Sequence, residues 1–433
     1  MTPPPTRGVH YAWVILAVTF LTLLVSAAAR ATIGVLIVPL EQEFHWSRGT
    51  ISVAASLGIL LFGLMGPFAA GLLQAAGLKR TMSLTVGLLA LLVAATTFVS
   101  HPWQLVALWG VGVGVLTGTA SLVLGTTVVN RWFVERRGLA LGLLSASSAT
   151  GQLVFLPLQA WLVEHHGWRT AVLLIAGAAA LLVPAILLLL RERPSDVGLA
   201  PYGGTVGDDA APRGAGNPVA IAFAGLRRAS RSGDFWLLFA TFFICGTSTN
   251  GLIGTHLIPA AHDHGISEVR AAGLLAMMGI FDLIGTTAAG WMSDRWSPRW
   301  LLAWYYALRG VSLLMLPHAL AGSQMGLSIF AIWYGLDWIA TVPPTVKLAT
   351  NAFGPKDAPV IFGWVFVGHQ LGAAASALAA GSVRTALGTY DSAFWTAGAL
   401  CFVAAALSLR IGIHRRRTGT AREIPGDAVR AAV

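Results

Sequence analysis

The chain has 433 residues, 56% of them hydrophobic and only 11% charged, with 28 Lys and Arg against 18 Asp and Glu. A water-soluble domain carries roughly a quarter of its residues as charges, so a large soluble body is excluded and lipid is expected to be the main solvent. The net charge of +10 does not point to nucleic acid, because the cations fall between apolar segments and form no basic face interleaved with aromatics.

Crossing the hydrocarbon layer takes about 20 apolar residues per helix, and the apolar runs predict twelve spans. Spans 1 to 6 occupy approximately residues 13–40, 51–76, 82–99, 104–130, 139–163 and 170–190. Spans 7 to 12 occupy approximately 235–261, 271–291, 300–320, 325–348, 360–386 and 392–411. An open sheet is excluded because lipid cannot satisfy its edges, and the runs do not alternate as barrel strands do. Span 1 is too long for a signal-peptide core and is expected to stay in the chain. Cys245 and Cys401 both lie inside apolar runs, which reads as two buried small hydrophobes and supports neither a disulfide framework nor a metal cluster.

The fold expected is therefore an all-α membrane protein of two six-helix bundles, residues 1–190 and 234–411. A linker at 191–233, with Pro194, Pro201, Pro212 and Pro218 among Gly and Asp, separates them, and a basic tail at 412–433 follows. The last part of the linker, 219–231, is expected on the membrane surface. Of the Lys and Arg residues, 22 fall on the side of the termini and linker, four (Arg48, Arg169, Arg270, Arg384) on the other, and Arg30 and Arg309 within spans. Both termini and the linker are thus expected to be cytoplasmic.

The halves resemble each other at a nearly fixed offset. Pro39 and Pro259, Gly34 and Gly254, and Ser47 and Ser267 are each 220 apart, while Gly142 and Gly363, Gly151 and Gly372, and Gly167 and Gly388 are each 221 apart. Six coincidences in order argue for a duplicated unit, and parallel six-helix repeats are a transporter design with substrate bound between the halves at mid-membrane.

The loop after span 8, Gly290-Trp-Met-Ser-Asp294-Arg295-Trp-Ser-Pro-Arg299, resembles the signature G-x-x-x-D-R-x-x-x-R of the major facilitator superfamily. The first-half equivalent, from Gly71 to Arg80, has Ala75 and Ala76 in place of the acid and its neighbour. Since that acid helps latch the cytoplasmic ends in the family, the resemblance implies an asymmetric latch carried by Asp294, Arg295 and Arg299. The entry to span 5, Trp132-Phe133-Val-Glu-Arg136-Arg137-Gly138-Leu-Ala140-Leu-Gly142, is similar to the monocarboxylate transporter branch, which includes bacterial oxalate/formate-type exchangers. The His10-Tyr11-Ala12-Trp13 entry to span 1 and the run from Pro194 to Pro201 also look like bacterial members. The resemblance implies a bacterial inner-membrane location and gives Arg136 and Arg137 a boundary and gating role. Animal members carry an Asp in helix 8 with an Arg four residues later, whereas Asp282 is followed here by Thr286. They also carry a Lys in helix 1, and Arg30 falls within about a residue of that place.

An ionised side chain at the bilayer centre costs at least about 2.5–3.5 kcal/mol on insertion scales, so each needs a partner or a task. Arg30 has Ser26, Ala27, Ile33 and Gly34 at helical spacing and no acid, which makes it the expected anchor for a substrate carboxylate, gripped by two parallel hydrogen bonds. The alternative for it is a cross-half pair with Asp282. Arg309 is expected in a structural ion pair with Asp282 or Asp337, and both acids are candidates for proton coupling. Asp337 also precedes Pro343-Pro344, where a helix must lose backbone hydrogen bonds. Asn250, His369, Gln370, Ser148 and Gln152 lie near mid-depth as candidate substrate contacts, with Phe362, Trp364 and Phe366 as an aromatic wall.

No nucleophile and base arrangement, phosphate loop or HExxH spacing occurs, so no enzyme activity, cofactor or metal is expected. The function expected is secondary transport of a small organic anion, a monocarboxylate, with protons as co-substrate and lipids as surroundings. Export of amphipathic or aromatic compounds is the alternative within transport, and a non-transporting membrane sensor is the alternative outside it.

Overall fold

In lipid each backbone polar group must be satisfied inside the protein, so each long apolar run becomes a helix. The computed structural model describes residues 10–205, 218–322, 324–354 and 357–412, which are almost entirely helical. Arg7, Arg213, Lys356 and the basic tail beyond residue 412 lie outside the described residues.

The first half contains α1 (Tyr11–Phe44), α2 (Arg48–Ala76), α3 (Leu78–Phe98), α4 (Pro102–Trp132), α5 (Arg137–His166) and α6 (Trp168–Leu189). The second contains α7 (Gly233–Asp263), α8 (Glu268–Arg295), α9 (Pro298–Ala321), α10 (Met325–Phe353), α11 (Ala358–Leu387) and α12 (Asp391–Ser408). Eleven of these helices are long and apolar enough to cross a membrane. The exception is α9, whose Trp300, Trp304, Tyr305, Tyr306 and Arg309 lower its hydropathy.

Three of the recurring pairs have an equivalent physical role in both halves. Ser47 and Ser267 are the N-caps of α2 and α8, each side chain accepting from the amide three residues on. Gly167 and Gly388 end α5 and α11 with φ of 81° and 76°, where a side chain would be strained. Gly151 of α5 lies on the backbone of α1 at Leu24, and Gly372 of α11 lies on α7 at Phe243, so a methyl group at either would strike a carbonyl. The halves meet along two equivalent pairs, α2 with α11 and α5 with α8, while α3 packs with α6 and α9 with α12 at the periphery.

Two helices are interrupted at equivalent depth. In α4 the helix breaks at Ala120 and Ser121, and in α10 a turn replaces it over residues 338–341. Discontinuous helices in a membrane occur where the freed backbone lines a cavity or is buried in protein.

The hydrogen bonds and ion pairs that join the two halves cluster at the end where α1 turns into α2. There Arg48 of α2 donates to both carboxylate oxygens of Asp263 at 2.7 and 2.8 Å, to Glu41 at 2.8 Å and to the Pro259 carbonyl at 3.2 Å. Arg384 grips the same Asp263 at 2.7 Å. Two symmetric caps reinforce this seal: Gly49 donates its amide to Thr385, and Val269 donates its amide to Glu164. At the other end Gly66, Gly142, Gly290 and Gly363 have no atom within 4 Å of where a methyl group would stand. The linker helix, Pro218–Ala229, bridges α2 and α11 on that open side, held by Trp364 donating to the Ala222 carbonyl and by Arg228 paired with Asp357.

Asp263→Asn removes the charge that both arginines share. With Cys245→Ser and Cys401→Ala as background, a Ser52→Cys reporter on the fully buried face of α2 opposite Gly381 should react with a thiol reagent about tenfold faster in this variant. Unchanged labelling would show that the seal does not depend on Asp263.

Candidate functional site

Between the halves lies a cavity of about 290 Å³, lined from the first half by Arg30, Phe62 and Gln152 and from the second by Asn250, Asp282, Trp338, His369 and Gln370. A smaller chamber of about 50 Å³ adjoins it, and Arg30, Gln152 and Asn250 line both. Arg30 thus stands at the neck between them. Its guanidinium lies 4.3 Å above the Phe62 ring, and it has no hydrogen bond or ion pair among the described residues. A stacked guanidinium keeps its N–H edge available for a planar acceptor. The cross-half pair with Asp282, weighed from the sequence, is not formed.

Close backbone packing positions the next two groups. Gly246 and Gly372 let α7 and α11 approach until a methyl group on either would collide with the facing backbone. His369 is thereby held against Phe242 and stacked with Phe366 at 5.7 Å, its Nε2 within 3.4 Å of the Thr249 hydroxyl. Gln370 leans on Gly63 of α2, one residue from the Phe62 that carries Arg30. The amide atoms of Gln370 and Nδ1 of His369 are buried without a hydrogen-bond partner among the described residues, a state that costs free energy unless a ligand relieves it. Ser145 and Ser147 of α5 line the cavity, whereas the side chain of Ser148 lies outside the described residues. Of the three aromatics expected as a wall, Phe366 lines the cavity, Trp364 holds the linker helix and Phe362 packs on Phe242.

The break in α10 decides the roles of the intramembrane charges. Arg309 is fully buried and directs Nε to Asp337 at 2.6 Å, Nη2 to the carbonyls of Asp337 and Trp338, and Nη1 to Cys245 and Ser248. All of its donor nitrogens are used. Asp337, the other candidate for proton coupling, sits in this pair and does not line the cavity, so its carboxylate makes a structural contact in this conformation. Cys245, read from the sequence as a plain buried hydrophobe, lines the cavity and accepts from Arg309 at 3.1 Å. Asp282 pairs with no cation among the described residues; its Oδ1 accepts from Thr286 at 2.9 Å and from the freed Ile339 amide at 2.8 Å.

The residues expected to gate the cytoplasmic side stay within their own halves. Asp294 pairs with Lys347 at 2.7 Å, and Arg295 stacks on Trp291 at 4.1 Å. Arg299 is in the first turn of α9. Arg137 donates to the Phe133 carbonyl, and Arg136 faces Tyr202, whose backbone pairs with Trp132 and Val134. Where Ala75 removes the acid from the first-half loop, Glu192 reaches in from beyond α6 to cap Leu78 and Lys79 at 2.7 and 2.8 Å and to pair with Arg131. Sequence reasoning missed Glu192, Phe62, Trp338 and the Arg48–Asp263 seal. One signal existed for the last: Asp263 is the equivalent of Glu43 at an offset of 220, and each is gripped by an arginine, Arg384 and Arg169.

Removing one partner of a buried pair strands the other charge. Asp337→Ala should therefore lower stability by about 3–5 kcal/mol, read as a fall in the thermal unfolding midpoint in detergent. Arg309→Met combined with Asp337→Leu should recover part of that loss. Equal stability of Asp337→Ala and the parent would contradict the structural role.

The model of the Major Facilitator Superfamily matches residues 19–346 and 256–432. Monocarboxylate transporter 13 of Rattus norvegicus is 29% identical, over 92% of this chain and 88% of that protein. The gallate transporter of Pseudomonas putida is 27% identical, over 95% and 94% respectively. A solved bacterial homologue of the human lysosomal transporter Spinster, in an inward-facing and unoccupied conformation, superposes with a TM-score of 0.75 at 16% identity, covering 94% of this chain and 98% of its own. The twelve helices in two related bundles, the cavity between them and the family match agree: this chain is a multi-pass membrane transporter that belongs to the major facilitator superfamily.

Proposed function

We propose that the protein carries a small organic monocarboxylate across the bacterial inner membrane by alternating access, with the open end and both termini on the cytoplasmic side. The observation that carries this reading is Arg30, a mid-membrane guanidinium with no ion pair among the described residues, facing a cavity shared by both halves. An unpaired cation at that depth is costly, and a carboxylate is the acceptor that matches its planar N–H edge. Gln152 and Asn250, which line the same neck, supply neutral donors for the remaining lone pairs of the carboxylate. The names of the relatives, monocarboxylate transporter and gallate transporter, support the same class of cargo. The excess of Lys and Arg around the open end supports the orientation.

The cavity size favours a ring-sized cargo over the smallest acids. A volume of about 290 Å³ is roughly ten times the share of one water in the liquid, and the aromatic rings of Phe62, Phe242, Trp338 and Phe366 are among the residues that line it. Those rings also support the second reading, export of an aromatic or amphipathic compound. Net flux in a sided vesicle separates the two.

Asp282 is the proposed proton site. It shares the cavity with Arg30 but is bound to the α10 break through the Ile339 amide, so its charge state bears on both the cargo and the hinge. Two anions in one low-dielectric cavity repel, and a carboxylate on Arg30 therefore loads together with a proton on Asp282.

Proteoliposome uptake of a panel of aliphatic and aromatic monocarboxylates, with and without an imposed pH gradient, tests the reading. Arg30→Lys keeps the charge but loses the fork and should weaken binding about tenfold, while Arg30→Ala should nearly abolish it. Uptake by Arg30→Ala at parental affinity would remove the anchor. Asp282→Asn should lose pH-driven accumulation and keep substrate exchange; accumulation by that variant would exclude Asp282 as the essential proton site.

A further inference from the structure

Behind the seal, one buried histidine has no part in the mechanism above. His256 of α7 is fully buried, and its Nε2 lies 2.8 Å from the carbonyl of Ala377 in α11. A carbonyl can only accept, so Nε2 carries the hydrogen and Nδ1 of the neutral ring keeps a lone pair. That lone pair faces the Tyr390 hydroxyl at 3.3 Å, and the oxygen of Tyr390 accepts from Arg48 at 3.4 Å. A continuous chain of hydrogen bonds therefore runs from Asp263 through Arg48 and Tyr390 to His256 and ends on the backbone of α11. Arg48 is its one member from the first half, so the chain crosses between the halves on either side of Arg48.

We propose that His256 is a proton-binding site that holds the Arg48 end shut when neutral and releases it when protonated, through Tyr390 and Arg48. The proposal rests on the alternating-access reading but not on the identity of the cargo. A proton taken up on Nδ1 converts it from acceptor to donor. Tyr390 must then turn its O–H away from the ring, and its oxygen faces donors from both sides. The new imidazolium also stands one hydroxyl away from the Arg48 guanidinium, in a site where like charges are poorly screened. The charged and titratable groups around it are Arg48 of α2, Glu41 of α1, Tyr390 at the start of α12, Arg384 of α11, and Asp263 and His262 of α7 itself. Glu268 of α8 lines a surface cleft of the same end with His262 and Glu164. The two carboxylates nearest Arg48, Glu41 and Asp263, are already engaged by arginines, which leaves the proton on His256 without a counter-ion of its own. Opening the end hydrates the imidazolium and relieves the repulsion.

Imidazole is the side chain whose charge ordinarily changes between about pH 5 and 8, so a gate built on it answers the acid side of a proton gradient. Protons on the sealed face would then favour exposure of the cavity to that face, which is the order of events an importer driven by protons requires.

The test reads conformation and needs no cargo. The full chain carrying the Ser52→Cys reporter, with Cys245→Ser and Cys401→Ala, is reconstituted and labelled with a membrane-impermeant thiol reagent whose own pH dependence is calibrated on a free thiol. The corrected rate should rise at least about fivefold between pH 8 and pH 5. His256→Gln, which can still donate to Ala377 and accept from Tyr390 but cannot take the proton, should flatten that rise. Tyr390→Phe, which removes the relay, should reduce it. Asp282→Asn should keep it, which separates this site from the proposed cargo-linked proton. A flat profile in the reporter protein, or a full rise in His256→Gln or Tyr390→Phe, would overturn the proposal. Failure of every carboxylate in the uptake screen, with the pH response intact, would overturn the cargo reading and leave the gate standing.

Discussion

The structure depends on how a broken helix is tolerated where water cannot reach. At residues 338–341 the backbone of α10 leaves its helical ladder, and each freed group carries a cost of several kcal/mol in hydrocarbon. Arg309 takes the loose carbonyls of Asp337 and Trp338, and Asp282 takes the loose amide of Ile339. The ion pair of Arg309 with Asp337 neutralises the cation in the same place. Two charged side chains thus replace missing backbone partners, and the break can be kept beside the cavity.

This constraint divides the intramembrane charges into two kinds. Arg309 has all its donor nitrogens engaged, so it is already satisfied within its own half. Arg30, at comparable burden in the first half, has an aromatic face beneath it and open cavity at its edge. Equal residue types at similar depth therefore differ in what they can still bind. Asp282 stands between the two kinds, because one oxygen serves the backbone and the residue also borders the cavity.

The asymmetry between the two ends follows from the same rule applied to motion. At one end the halves are joined by charge-assisted bonds around Arg48, by reciprocal helix caps and by the close fit of Gly381 against Ser52. At the other, the charges that flank the cavity mouth are paired without reaching the opposite half, as with Asp294 and Lys347, or Arg131 and Glu192 at the start of the linker. Contacts made inside a half can persist while the halves rock; contacts between halves must break. The molecule has concentrated the second sort at one end in this conformation.

The apolar run lengths and the offset of about 220 residues were sufficient for the twelve helices and the duplication, because run length is a local property that lipid enforces segment by segment and a repeat can be counted along the chain. The absence of an acid near Arg30 was legible for the same reason, since helical spacing can be counted along the chain. The break in α10 was signalled by Pro343-Pro344, but its equivalent at Ala120 and Ser121 had no proline to announce it. Which acid Arg309 would choose, and that Arg48 would meet Asp263, 215 residues away, were decided only by the packing of helices against one another. Pairing of charges depends on distance and angle in space, and periodicity along a helix gives the face a residue occupies without saying what stands opposite.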